Sequence, residues 1–185
     1  MVEQIFATPL SRSFLGLDEA TRSDLRARAL KAYEAMNTDR KPWGRNTRMS
    51  LENFDPAFAP LFQAVKTRTE AEFGVSVASI TGRELVQFKG DFVPPHIESS
   101  TLSAVYWIAG EAKPDPDRQE YDGSLVLQHP AGGFGSKALP SDMRVRMVRP
   151  TVDLLLIFPS HLLHFGHVYQ GENPSVEVHF EMELT

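Results

Sequence analysis

The chain has 185 residues, 42% of them hydrophobic and 23% charged, which excludes a disordered chain and leaves room for one domain with a substantial core. A formal net charge of -5 gives no drive toward polyanions, so DNA or RNA is not expected as a partner. With no cysteine the chain can form no disulfide, thiolate nucleophile or sulfur-ligated metal site, so a metal would have to be held by imidazole and carboxylate.

The first ten residues, Met1 to Leu10, carry Glu3 and no sustained apolar run. Neither a secretory signal nor a membrane span is expected from them, and the cytoplasm is the simplest compartment. A short apolar strand is predicted over Gln4 to Pro9. From Asp18 to Met36, the positions of Leu25, Ala29, Ala32 and Met36 repeat at three and four residues, the signature of one helix face, with Asp18 as its N-cap. A second helix is expected from Pro60, which suits a first helical turn, to Phe73, with Leu61, Val65 and Phe73 inward and Gly74 as the stop. The loop Trp43 to Arg48 between them is read as ordinary packing.

From residue 75 the pattern changes to short β-rich runs: Val75 to Ile80, Glu84 to Phe88, Leu102 to Ile108, Ser124 to Gln128, Arg144 to Val148, Leu154 to Phe158 and Val176 to Leu184. Short strands separated by Gly, Pro and Asp turns predict a sandwich or barrel. The domain is therefore read as mainly β, with residues 1–74 as helical support and 75–185 as the β core. The connections Gly110 to Gly123 and Ala131 to Ser136 read as mobile.

Four of the six histidines, His161, His164, His167 and His179, crowd into the last twenty-five residues. In Val93-Pro94-Pro95-His96-Ile97-Glu98 the two prolines enforce an extended chain, in which residues i and i+2 project to one face, so His96 and Glu98 point together. A third ligand is expected where the buried run Leu154 to Phe158 ends at Pro159. His164 is preferred there, His161 being read as facing away and His167 as a competitor. His129 and His179 are read as strand residues, His179 also as a candidate donor in a pocket wall. Two imidazoles and one carboxylate on one face of an octahedron leave three adjacent positions open, which suits non-haem iron(II).

The chain resembles the 2-oxoglutarate- and iron(II)-dependent oxygenases, a bacterial group related to the prolyl-hydroxylase-like branch. The resemblance rests on Phe6-Ala7-Thr8-Pro9-Leu10, Gly90-Asp91-Phe92 through Pro95-His96, Leu102 to Trp107, Gly123 to Leu127, and Leu155 to Ser160 with His164. It implies a double-stranded β-helix, a jelly roll of the cupin-like kind, with His96, Glu98 and His164 as both metal and catalytic triad. It also implies decarboxylation of 2-oxoglutarate to succinate, coupled to insertion of one oxygen atom of dioxygen into a C–H bond of a small molecule or side chain. Tyr106 is placed by the resemblance to donate a hydroxyl to the co-substrate. Relatives also carry a last-strand arginine that pairs with the far carboxylate of 2-oxoglutarate. The corresponding stretch Asn173 to Val178 contains none, which leaves Arg83, Lys89, Arg144, Arg146 and Arg149 as candidate cations.

Two other readings compete. Gly90 followed by five residues and His96 fits the opening of a cupin motif, although Pro159 leads to His164 without the glycine expected in the second motif. A binding module with a structural metal, or with zinc in the triad, has the same ligand chemistry. The β-rich C-terminus could supply the edge of a homodimer.

Overall fold

The computed structural model describes residues 8–36, 46–49, 55–110, 112–129 and 145–185. Trp43 to Arg45, Ala131 to Ser136, Arg144 and most of the strand expected over Gln4 to Pro9 lie outside the described residues.

Helix α1 (Glu19–Met36) begins where expected. The Asp18 carboxylate accepts from the Thr21 backbone N–H at 2.8 Å and from the Thr21 hydroxyl at 2.7 Å, satisfying donors that the first turn leaves open. Leu25 and Ala29 are buried. Helix α2 (Ala59–Phe73) takes Pro60 in its first turn and stops at Gly74, whose φ of 66° is left-handed and free of cost only for glycine. Leu61 and Val65 are buried against the sheet.

The strands are β1 (Ser11–Phe14), β2 (Asn46–Met49), β3 (Val77–Gln87), β4 (Val93–His96), β5 (Leu102–Ala109), β6 (Leu125–Gln128), β7 (Val145–Val148), β8 (Leu154–Pro159), β9 (Leu163–Gly166) and β10 (Ser175–Leu184). They form a six-stranded sheet in the order β1-β8-β5-β10-β3-β2 and a four-stranded sheet in the order β4-β9-β6-β7. Every pairing is antiparallel. From β3 onward the chain passes back and forth between the two sheets, which is the winding of a double-stranded β-helix. The expected jelly roll is therefore the observed fold.

Two expected strands, Val75 to Ile80 and Glu84 to Phe88, are one continuous strand β3. The intervening Gly82 marks a close approach instead of a turn: a Cβ there would lie 2.6 Å from Cζ of Phe62, so the glycine lets α2 settle onto the sheet. Strands β4 and β9 are short and were not expected. Pro94 and Pro95 are tolerated in β4 because it is the edge of the four-stranded sheet.

Two apolar clusters hold the layers together. One fills the space between the helices and the large sheet, with Leu25, Phe58, Phe62, Tyr106, Ile157, Val178 and Phe180 among its members. The other lies between the two sheets, with Val105, Trp107, Leu127, Leu156 and Phe158. Burying a side chain of this size is worth about 1.5–3 kcal/mol. The two faces of β5 and β8 thus belong to different cores.

Candidate metal centre

Strand β4 ends at His96, which stands in register with His164 of β9. Their ring centroids are 4.2 Å apart. Each imidazole is oriented by its own chain: Nδ1 lies 2.8 Å from a carbonyl oxygen two residues back, Pro94 for His96 and Leu162 for His164. Donation from Nδ1 to these carbonyls fixes the tautomer whose Nε2 carries the free lone pair. The Phe158 ring packs edge-on against His164 at 5.0 Å.

Glu98 follows on the extended segment, with its backbone N–H donating to the Ser160 carbonyl at 3.1 Å. The buried Ser160 hydroxyl lies 2.9 Å from that of Ser100 and 2.8 Å from that of Ser103, tying the exit of β8 to the loop that carries Glu98. One nitrogen from each histidine and one oxygen from Glu98 all lie within 4.8 Å of one another. That is the donor set of a facial triad. His161 is exposed after β8, and His167 packs beside the rings of Tyr121 and Phe165; neither joins the cluster.

A cation already touches this cluster. Arg83 of β3 donates from Nη2 to Oε1 of Glu98, lies 3.4 Å from Nε2 of His96, and has Nη1 3.7 Å from Glu181. The side chains of Arg83 and Glu98 are only 9% and 8% exposed, so their charges are little screened by solvent. Burial pushes the Glu98 pKa up, but the charge and hydrogen bond of Arg83, with help from the two histidines, bring it below the usual carboxylate value. Burial pushes His164 down to about 4, against the pull of its Leu162 hydrogen bond, so its imidazole is neutral near pH 7 as a metal ligand must be.

The last strand supplies the adjoining wall. Val176, Val178, Phe180 and Met182 of β10 pack toward the helices, so by the period-2 alternation Ser175, Glu177, His179 and Glu181 face the interior between the sheets. Nε2 of His179 lies 3.0 Å from Oε2 of Glu177, and the Ser175 hydroxyl donates to Oε1 of Glu177 at 3.4 Å. Burial, opposed by Glu177, holds His179 below its usual pKa. Across the ladder Trp107 stands opposite Glu177, and Gln87 opposite Ser175. The buried Trp107 Nε1 and Gln87 Nε2 have no hydrogen-bond partner.

Tyr106 is not brought to this site. It lies on the other face of β5, in the core beneath the helices, and its hydroxyl donates to Oδ1 of Asp153 at 2.8 Å. Burial first, and Asp153 second, push its pKa up. Of the candidate cations, Arg83 reaches the triad. Lys89 pairs with Glu172 at the surface, and Arg146 and Arg149 are exposed.

No protein-family model and no curated protein matches the chain. Among solved structures it is similar to a prolyl-4-hydroxylase from Pseudomonas putida at 14% identity and a TM-score of 0.65, over 94% of this chain and 91% of that one. HygX from Streptomyces hygroscopicus, solved with nickel and 2-oxoglutarate, matches at 14% identity and a TM-score of 0.66, over 96% and 83%. The non-heme alpha ketoglutarate dependent carbocyclase SnoK of nogalamycin biosynthesis matches at 9% identity and a TM-score of 0.69, over 95% and 80%. At these identities the shared property is the fold, and it is the fold of prolyl-hydroxylase-like oxygenases that the sequence led us to expect.

Proposed function

We propose that this chain is an iron(II)-dependent dioxygenase of the 2-oxoglutarate type, acting on an unidentified small molecule or side chain, with His96, Glu98 and His164 as the metal ligands. The observation that supports this most is the convergence of two imidazoles and one carboxylate within 4.8 Å on remote segments of a jelly roll. Three similar structures, a hydroxylase, HygX with nickel and 2-oxoglutarate, and a carbocyclase, add support from fold.

Bound iron would supply dioxygen activation driven by oxidation of a 2-oxo acid, which no side chain of a cysteine-free protein offers. The protein's own residues do the rest. The Pro94 and Leu162 carbonyls hold His96 and His164 in the ligating tautomer. Arg83 keeps Glu98 ionised, and an arriving divalent cation competes with that guanidinium for the same oxygen. Leu156, Phe158, Val105 and Trp107 line the interior with apolar surface and keep bulk water from the centre.

The test is anaerobic loading with iron(II), then exposure to air with a 2-oxo acid. The expected result is oxygen uptake matched by release of the shortened acid and carbon dioxide, abolished in His96→Ala. One specific observation favours a second reading, a cupin-like metalloprotein that uses no 2-oxo acid: the interior face of β10 carries Glu177 in a stretch with no arginine. Oxygen uptake by the iron-loaded protein without any 2-oxo acid would support it. Retention of zinc with no oxygen uptake would point to a binding module.

A further inference from the structure

Resting on the oxygenase reading above, we infer that the wall beside the metal centre is built for a 2-oxo acid with an uncharged, oxygen-bearing tail, and not for one with a second carboxylate. Two features carry this, a count of charge and a count of hydrogen bonds.

The described charged or titratable groups that face the interior from the large sheet are Arg83, Glu177, His179 and Glu181. Arg83 is shared between Glu98 and Glu181. The Glu177–His179 pair is neutral when the imidazole is protonated and anionic when it is not; in neither state is it a cation. From the small sheet, the described groups facing Arg83 are His96, Glu98 and His164, which form the metal site. Arg146 stands exposed on β7, the other edge of that sheet. A far carboxylate lying along β10 would therefore meet Glu177 with no free positive charge among the described residues. A buried charge in that position is strongly disfavoured.

The hydrogen-bond count runs the other way. Trp107 Nε1 and Gln87 Nε2 are buried donors without acceptors, on ladder positions opposite Glu177 and Ser175. Orphaned N–H groups in an interior are costly, so such a pair marks a place where an acceptor belongs. An ester, amide or ether oxygen satisfies them and brings no charge to Glu177.

The experiment uses the full chain loaded anaerobically with iron(II), titrated by calorimetry with 2-oxoglutarate and with its 5-methyl ester. The ester is expected to bind about tenfold tighter or more, a difference of one pKa-unit equivalent. Glu177→Gln should narrow the gap to about threefold or less by strengthening 2-oxoglutarate, since it removes the charge and keeps the shape. Equal or tighter binding of 2-oxoglutarate to the unaltered protein overturns the inference and leaves the oxygenase reading standing. Binding of iron with no binding of either acid overturns both. The comparison of the two acids on the unaltered protein is decisive even if the variant fails to fold.

Discussion

The two faces of β10 differ in everything except their backbone. Toward the helices it presents Val176, Val178, Phe180 and Met182, each 1% exposed or less and packed in one apolar cluster. Toward the other sheet it presents Ser175, Glu177, His179 and Glu181, which bond to one another and to Arg83. One strand thus serves stability on one side and chemistry on the other, a separation that follows from side chains alternating between faces. Substitutions on the outer face should therefore change melting and leave metal affinity alone, and those on the inner face the reverse.

The largest effect is expected from Phe180→Ala, which removes a ring stacked edge-on at 5.0 Å to Phe62. A loss of about 3–5 kcal/mol is expected in denaturant unfolding, and a comparable loss of metal affinity in the folded variant would break the division. His164→Ala is the converse: a fall in metal affinity of about a hundredfold or more, read by metal titration, with unchanged affinity refuting the triad. Third comes pH. Glu84 shares the outer face with Val178, its register partner, and burial, with Asp55 adding to it, pushes its pKa up to about 7 from an ordinary 4.5. The folded state holds that proton more tightly than the unfolded chain. Its contribution to stability is then full below pH 4.5 and is lost as pH rises through about 7, on the order of 1–2 kcal/mol after solvent screening. Unfolding at pH 5 and pH 8 should show this loss, and Glu84→Gln should flatten it. The smallest effect is that of Tyr106→Phe, about 1 kcal/mol for the bond to Asp153, with no change in affinity for a 2-oxo acid; a clear weakening of that affinity would return Tyr106 to the site.

Much of this was legible in the residues, and the failures share a cause. Pro94 and Pro95 fix an extended backbone locally, so the shared direction of His96 and Glu98 could be read from the sequence. The cap at Asp18 and the stop at Gly74 are equally local. What could not be read is which face of a wholly buried strand turns inward. In Leu102 to Ile108 every residue is buried, so the pattern does not distinguish Tyr106 from Trp107, and the resemblance pointed to Tyr106 where the interior face presents Trp107. Arg83 is the same case at longer range: its meeting with Glu98 depends on two sheets folding over each other, and no spacing encodes it. Gly82 was taken for a boundary because a glycine that makes room for Phe62 looks, in sequence, like one that makes a turn.

The attachment of β4 has a practical side. It is matched to β9 at two positions, Val93 with Gly166 and His96 with His164, with an irregularity between them, and its prolines have no N–H to add to the ladder. An ion gripped by His96, Glu98 and His164 would rivet this weakly laced margin to its neighbour and close a long loop of chain in doing so. Stripping the protein with a chelator should therefore fray it at Pro94–Pro95 first, seen as faster proteolytic nicking there well before the helices loosen.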